Sequence, residues 1–109
     1  MNISGEASKA GVRPDEAAAL VESMIGMPRI EIRGLMAIPA PATSFAAQRE
    51  NYRRLFELKA QIEARYGGDL PNFVDLSMGM SGDMEAAIAE GATWLRIGTA
   101  IFGTRRNQD

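Results

Sequence analysis

The chain has neither cysteine nor histidine among its 109 residues. Without thiols there is no disulfide framework, no thiolate nucleophile and no thiolate metal site. Without imidazole, Ser-His triads, the usual zinc sites and histidine acid–base chemistry are excluded as well, so no metal site is expected. An excess of positive charge is also missing: 12 basic and 14 acidic residues give a formal net charge of -2, spread along the sequence. A nucleic-acid partner and a polybasic membrane segment are therefore disfavoured. No apolar run approaches the roughly 20 residues needed to span a bilayer. The opening Met1-Asn2-Ile3-Ser4-Gly5-Glu6 lacks the charged and apolar regions of a leader, and a cytoplasmic protein is the expectation.

What is present is ordinary globular composition, 46% hydrophobic and 24% charged, enough for a single domain over residues 1–109. Met1 to Ser4 reads as the end of a strand, because Gly5 to Gly11 is a polar, turn-forming loop. Pro14-Asp15-Glu16 opens a helix in which Ala17, Leu20, Val21, Met24 and Ile25 recur at helical spacing, with Gly26 as C-cap. Ile30 to Ile38, stopped by Pro39-Ala40-Pro41, contains a strand of about six residues. From Ser44 to about Tyr66, Phe45, Tyr52, Leu55, Phe56, Ile62 and Tyr66 line one helical face, and Gly67-Gly68 ends the helix. Phe73 to Ser77 reads as a strand, and Ser81 as the N-cap of a helix that carries Asp83 and Glu85 and ends at Gly91. Leu95-Arg96-Ile97 reads as a last strand, followed by a Gly-Thr turn and a short helix. The expected order is four strand–helix units of a parallel α/β array.

In such arrays ligands sit at the carboxyl ends of the strands, and barrel enzymes commonly hold phosphate in their last two strand–helix loops. Two turns fall there, Ser77-Met78-Gly79-Met80-Ser81 and Arg96-Ile97-Gly98-Thr99. Glycine permits close backbone approach, hydroxyls donate, and helix starts favour an anion. The plainer reading makes Ser81 an N-cap, Gly79 a turn residue and Gly98 a packing glycine, and Asp83 and Glu85 place negative charge where an anion would bind. Arg96 points opposite to Leu95 and Ile97, toward a ligand or a barrel interior, with a solvent-exposed arginine on an edge strand as the plainer alternative. Lys9 and Lys59 are the only lysines and hence the only Schiff-base candidates; Lys59 belongs to a charged helix face. The methionines Met24, Met36, Met78, Met80 and Met84 read as core or gap-filling residues.

Three segments, Arg33-Gly34-Leu35-Met36-Ala37-Ile38-Pro39, Leu76-Ser77-Met78-Gly79-Met80-Ser81-x-Asp83 and Arg96-Ile97-Gly98-Thr99-x-Ile101-Phe102-Gly103, carry a specific resemblance. They are similar to hallmark segments of the pyridoxal phosphate homeostasis proteins, the YggS/PROSC family, whose fold resembles the N-terminal domain of alanine racemase. Asn2-Ile3 with Glu6, Lys9 and Gly11 resembles the preceding family segment. The likeness extends over essentially the whole chain.

The resemblance implies an α/β fold: four consecutive β/α units forming the second, C-terminal half of an alanine-racemase-like (β/α)8 TIM barrel. It implies pyridoxal 5'-phosphate (PLP) as cofactor, held in the family as an internal aldimine on a lysine in an N-terminal segment with no counterpart here. By resemblance, Ser77, Gly79, Met80, Ser81, Gly98 and Thr99 contact the phosphate, and Arg96 faces the pyridine nitrogen, which suits a carrier better than an electron sink. The implied function is intracellular PLP (vitamin B6) homeostasis without catalysis, with non-covalent or phosphate-only binding in this chain. A racemase-like enzyme acting on amino acids and a generic phosphate-binding α/β module are the alternatives. A half-barrel leaves two sheet edges and one apolar face uncovered, so self-association or pairing with the N-terminal half is expected.

Overall fold

The computed structural model describes residues 1–5 and 10–104. Glu6 and Lys9, singled out above, lie outside the described residues. Four α-helices and three strands are formed in the described part, with a short 3-10 turn (Gly67–Asp69) after α2: α1 (Pro14–Met24), β1 (Gly34–Met36), α2 (Phe45–Tyr66), β2 (Asp75–Met80), α3 (Met84–Ala89), β3 (Trp94–Arg96) and α4 (Thr99–Phe102). The strands pair in parallel in the order β1-β2-β3. This is an open (β/α) arrangement consistent with part of an alanine-racemase-like barrel.

The helices start and stop where local chemistry dictates. Pro14 begins α1 with its ring pre-set for helical φ, and Gly26 (φ 86) follows its end in a left-handed conformation. Ser44 caps α2 by accepting the Ala47 N–H. The buried stripe of α2 is Tyr52, Leu55, Leu58 and Ile62, spaced three and four residues apart, whereas Phe45 and Phe56 are about half exposed. Phe45 sits at the helix start beneath Arg49, and Phe56 lies off the stripe against Gly91.

Sheet pairing depends on one glycine. Gly34 stands opposite Asp75, and a Cβ built on it would fall 1.8 Å from the Asp75 carbonyl oxygen. Only a hydrogen fits, so β1 and β2 close through Asp75 N–H to Arg33 C=O and Ala37 N–H to Ser77 C=O. On the other side, Thr93 fastens β3: its backbone N–H donates to Leu76 C=O and its hydroxyl accepts the Leu76 N–H. The β2–β3 register shifts between Ser77 and Met80, where Gly79 takes φ 107.

Leu35, Leu76 and Met78 turn to the helical side and join Tyr52, Leu55, Ile62, Ala86 and Ala87 in the core. The opposite face carries Met36, Asp75, Ser77, Trp94 and Arg96, and there Trp94 is 61% and Met36 48% exposed. The radius of gyration, 15.1 Å, exceeds the roughly 13 Å of a closed globule of this length. Among the described residues no helix is long and apolar enough to cross a membrane.

Several sequence expectations are corrected. Met1 to Ser4 forms no strand: Ile3 and Ser4 lie in a turn, and the segment meets its neighbours through Met1 N–H to Met36 C=O and Ala40 N–H to Ser4 Oγ. The strand within residues 30–38 shrinks to Gly34–Met36, and the third expected strand slides from Phe73–Ser77 to Asp75–Met80, the stretch that β1 and β3 flank. The last strand ends at Arg96 rather than Ile97. Met36 and Met80 lie exposed, not in the core: Met36 alternates away from the helices, and Met80, which strict alternation would place beside Met78, is turned out by the irregularity at Gly79.

Candidate functional site

The two glycine-bearing turns meet at the carboxyl ends of β2 and β3. Ser81 is not the N-cap of α3: that position is Asp83, and no side chain caps the helix start. The Ser81 hydroxyl oxygen reaches across to the other turn, accepting the Gly98 N–H at 3.2 Å and the Ala100 N–H at 3.0 Å. These N–H groups belong to the first turn of α4, whose donors have no partner within the helix. The Ser81 oxygen thus stands where a short helix start offers hydrogen bonds to an anionic oxygen.

Arg96 closes the site along the sheet. It lies opposite Met80 on the face away from the helices, and one Nη donates to the Ala37 carbonyl at 3.0 Å, beyond the end of β1. Its Nε is buried and has no hydrogen-bond partner among the described residues. A guanidinium only donates, and a buried donor left unbonded costs about 1–3 kcal/mol. The orphaned Nε therefore calls for an acceptor.

Behind the first turn stands a pair absent from the sequence reading. Tyr52, only 1% exposed, donates its hydroxyl to Asp83 Oδ2 at 2.5 Å. The other carboxylate oxygen, Oδ1, accepts the Met80 N–H at 2.8 Å. Burial first, then the Asp83 hydrogen bond and charge, push the Tyr52 hydroxyl well above its ordinary pKa, with Arg96 pulling the other way. The Asp83 charge, expected to oppose an anion, is instead tied to Tyr52 and the loop backbone.

Gly79 is required by packing as well as by φ: a Cβ there would meet Ala87 Cβ and Leu95 Cδ2 at 2.7 Å. At Gly98 the reverse holds, with open space where a Cβ would project, so it is not a packing glycine. Thr99 opens α4 beside Gly98 and is exposed. Met80 is partly exposed at the end of β2. Ser77 is set apart from this cluster, lower on the sheet opposite Trp94, in an open groove of about 390 Å³ that Arg33, Met36 and Asp75 also line. Lys59 pairs with Glu63 and lies over the Phe73 ring, away from both turns. Among the described residues no group of His, Cys, Asp and Glu side chains could hold a metal ion.

Comparison with known proteins gives the family. A family described as alanine racemase, N-terminal domain, matches residues 1–106. The chain belongs to this alanine racemase N-terminal domain family. Within it, a pyridoxal phosphate homeostasis protein of Pseudomonas aeruginosa is 51% identical over 105 residues, 96% of this chain and 43% of that protein. The pyridoxal phosphate homeostasis protein of Escherichia coli K12 is 48% identical over the same shares. Among solved structures, PipY of Synechococcus elongatus with PLP bound superposes with a TM-score of 0.79 at 33% identity, covering 88% of this chain and 44% of that one. The chain therefore spans less than half the length of these family members.

The contact between Tyr52, read from the sequence only as a helix-face residue, and Asp83, read only as an acid after the turn, is the feature of this candidate site that the sequence did not announce. A signal existed in each case: a tyrosine on a buried helical stripe needs a partner for its hydroxyl, and a short acidic residue just past a turn is suited to accept a backbone N–H. Nothing in the sequence said that each was the other's partner.

Proposed function

We propose that this chain supplies the phosphate- and ring-nitrogen-contacting part of a PLP-binding protein that serves intracellular PLP homeostasis without catalysis. The observation that carries the reading is the buried Arg96 Nε with no acceptor among the described residues. A pyridine nitrogen is such an acceptor, and a guanidinium, which stays protonated, favours the unprotonated ring. When bound, PLP supplies an electrophilic aldehyde on an electron-withdrawing ring. The chain's own residues would grip the other end: Ser81, the backbone of Gly79 and the Gly98–Thr99 turn would hold the phosphate, with Ser77 facing the same open side of the sheet, whereas the Met80 N–H is already given to Asp83 and shapes the turn instead. The names of the curated relatives, and the PLP bound to PipY, support the choice of ligand.

We read the chain further as the C-terminal half of the barrel, with the open sheet face and the edges β1 and β3 covered by a second copy or by the remaining half. The uncovered Trp94 and Met36 support this. Binding is expected to be non-covalent, because Lys59 is engaged by Glu63 on α2, remote from the two turns. Competition among inorganic phosphate, PLP and a sugar phosphate tests the ligand choice. PLP is expected to bind at least tenfold more tightly than either competitor; equal affinities would instead indicate a generic phosphate module.

A further inference from the structure

We propose that Tyr52 and Asp83 are positioning residues that hold the Met80–Ser81 turn in the one arrangement that lets Ser81 reach the start of α4. The inference rests on the PLP reading only for its ligand arm. The chain of contacts is continuous. Tyr52 is anchored in the core stripe of α2 with Leu55 and Ile62, so its hydroxyl is a fixed point. Asp83 bonds that hydroxyl with Oδ2 and the Met80 N–H with Oδ1. The Asp83 N–H in turn donates to the Met80 carbonyl at 3.2 Å, so both backbone polar groups of Met80 are tied to one residue. Ser81 follows at once and meets Gly98 and Ala100 through its side chain.

Besides the Ala87 N–H to Asp83 C=O bond that starts α3, no other side chain of the core hydrogen-bonds this turn among the described residues. Arg49 and Arg53 fix α2 to α3 through Glu90, at the far end of α3 from the turn, so helix docking survives loss of the Tyr52 hydroxyl. Because the aromatic ring fills its core position whether or not it carries oxygen, Tyr52→Phe separates positioning from packing. Pyridoxal, which lacks the phosphate, supplies the matching control on the ligand side.

The test is amide hydrogen exchange by NMR on the full chain without ligand, joined to PLP and pyridoxal titrations of the same samples. In Tyr52→Phe the amides of Met80, Gly98 and Ala100 are expected to exchange about tenfold faster, while those of Ala37 and Thr93, which bridge the strands, keep wild-type rates. Unchanged rates at the three turn amides, or the same acceleration at all five, overturn the proposal. Asp83→Asn keeps an oxygen for the Met80 N–H and should retain most of the protection that Asp83→Ala loses, and this pair serves if Tyr52→Phe does not fold. On the ligand side, Tyr52→Phe should weaken PLP about tenfold and pyridoxal by less than about twofold; equal weakening overturns the proposal. Should wild type bind PLP no better than pyridoxal, the PLP reading fails while the exchange rates still decide on the clamp.

Discussion

The Ser81 hydroxyl oxygen and the Ala100 backbone N–H, brought from different turns, lie 3.0 Å apart in a hydrogen bond that Gly98 doubles from 3.2 Å. One serine thereby joins the β2 and β3 ends into a single site. Ser81→Ala removes the shared acceptor and leaves two N–H groups to solvent. A loss of about 1 kcal/mol in stability is expected, with exchange protection lost at Gly98 and Ala100 but not at Thr93. Chemical denaturation together with amide exchange reads both; protection kept at Gly98 and Ala100 would contradict the joint.

Gly34 is the position where sequence freedom is least. Its alanine variant places a methyl 1.8 Å from the Asp75 carbonyl oxygen, which belongs to backbone and has no room to retreat. The β1–β2 pairing should be lost at a cost of about 3 kcal/mol or more. Gly67→Ala is the control: its Cβ meets nothing within 4 Å and its φ is -53, so a change within about 1 kcal/mol is expected. Thermal unfolding of the two variants decides, and equal effects would refute the close approach.

Stability at alkaline pH should depend on Tyr52. Its hydroxyl is raised above the ordinary value of 10.0, so the folded protein holds the phenol proton more tightly than the unfolded chain does. The contribution is therefore complete below about pH 10 and is lost as pH rises beyond it. Wild type should exceed Tyr52→Phe by about 1–3 kcal/mol at neutral pH, and the gap should close above pH 10. Tyr66 is common to both proteins and cancels. Urea titrations across pH 7 to about 11 measure the gap; a constant difference would contradict the Tyr52–Asp83 bond.

The open sheet face gives a prediction about mass. With Trp94 61% exposed beside Met36 and Ile38, and with β1 and β3 as the outer strands of the sheet among the described residues, the chain should self-associate or take up a complementary half. Size-exclusion chromatography with light scattering is expected to give more than the monomer mass. Trp94→Lys should shift the distribution toward monomer. A compact monomer across micromolar concentrations would sink this reading.

How much of this was legible in the sequence follows from the range of the interactions. Helix α2 was readable because its signals are local: Ser44 accepts a bond three residues on, and Gly67 follows the last turn. The turns at Gly79 and Gly98 were also visible, as small residues breaking apolar runs. Ser81 was misread because a serine just ahead of a helix has a local partner by default, whereas its partners here lie 17 and 19 residues away. Tyr52 and Asp83, separated by 31 residues, escaped for the same reason. Strand limits shifted because pairing with neighbours, which one strand's residues do not encode, decides where a ladder begins and ends.

The central claim is that Arg96 and the Ser81–Gly98 cluster hold the two ends of PLP without a covalent bond. Its most direct test is a spectroscopic PLP titration of wild type and Arg96→Gln, followed by borohydride reduction and mass spectrometry. Saturable binding is expected for wild type, weakened at least about tenfold in Arg96→Gln with inorganic phosphate affinity nearly unchanged, and with no cofactor mass left on Lys9 or Lys59. Absence of saturable binding, an Arg96→Gln variant that binds like wild type, or a reduced lysine adduct would contradict it.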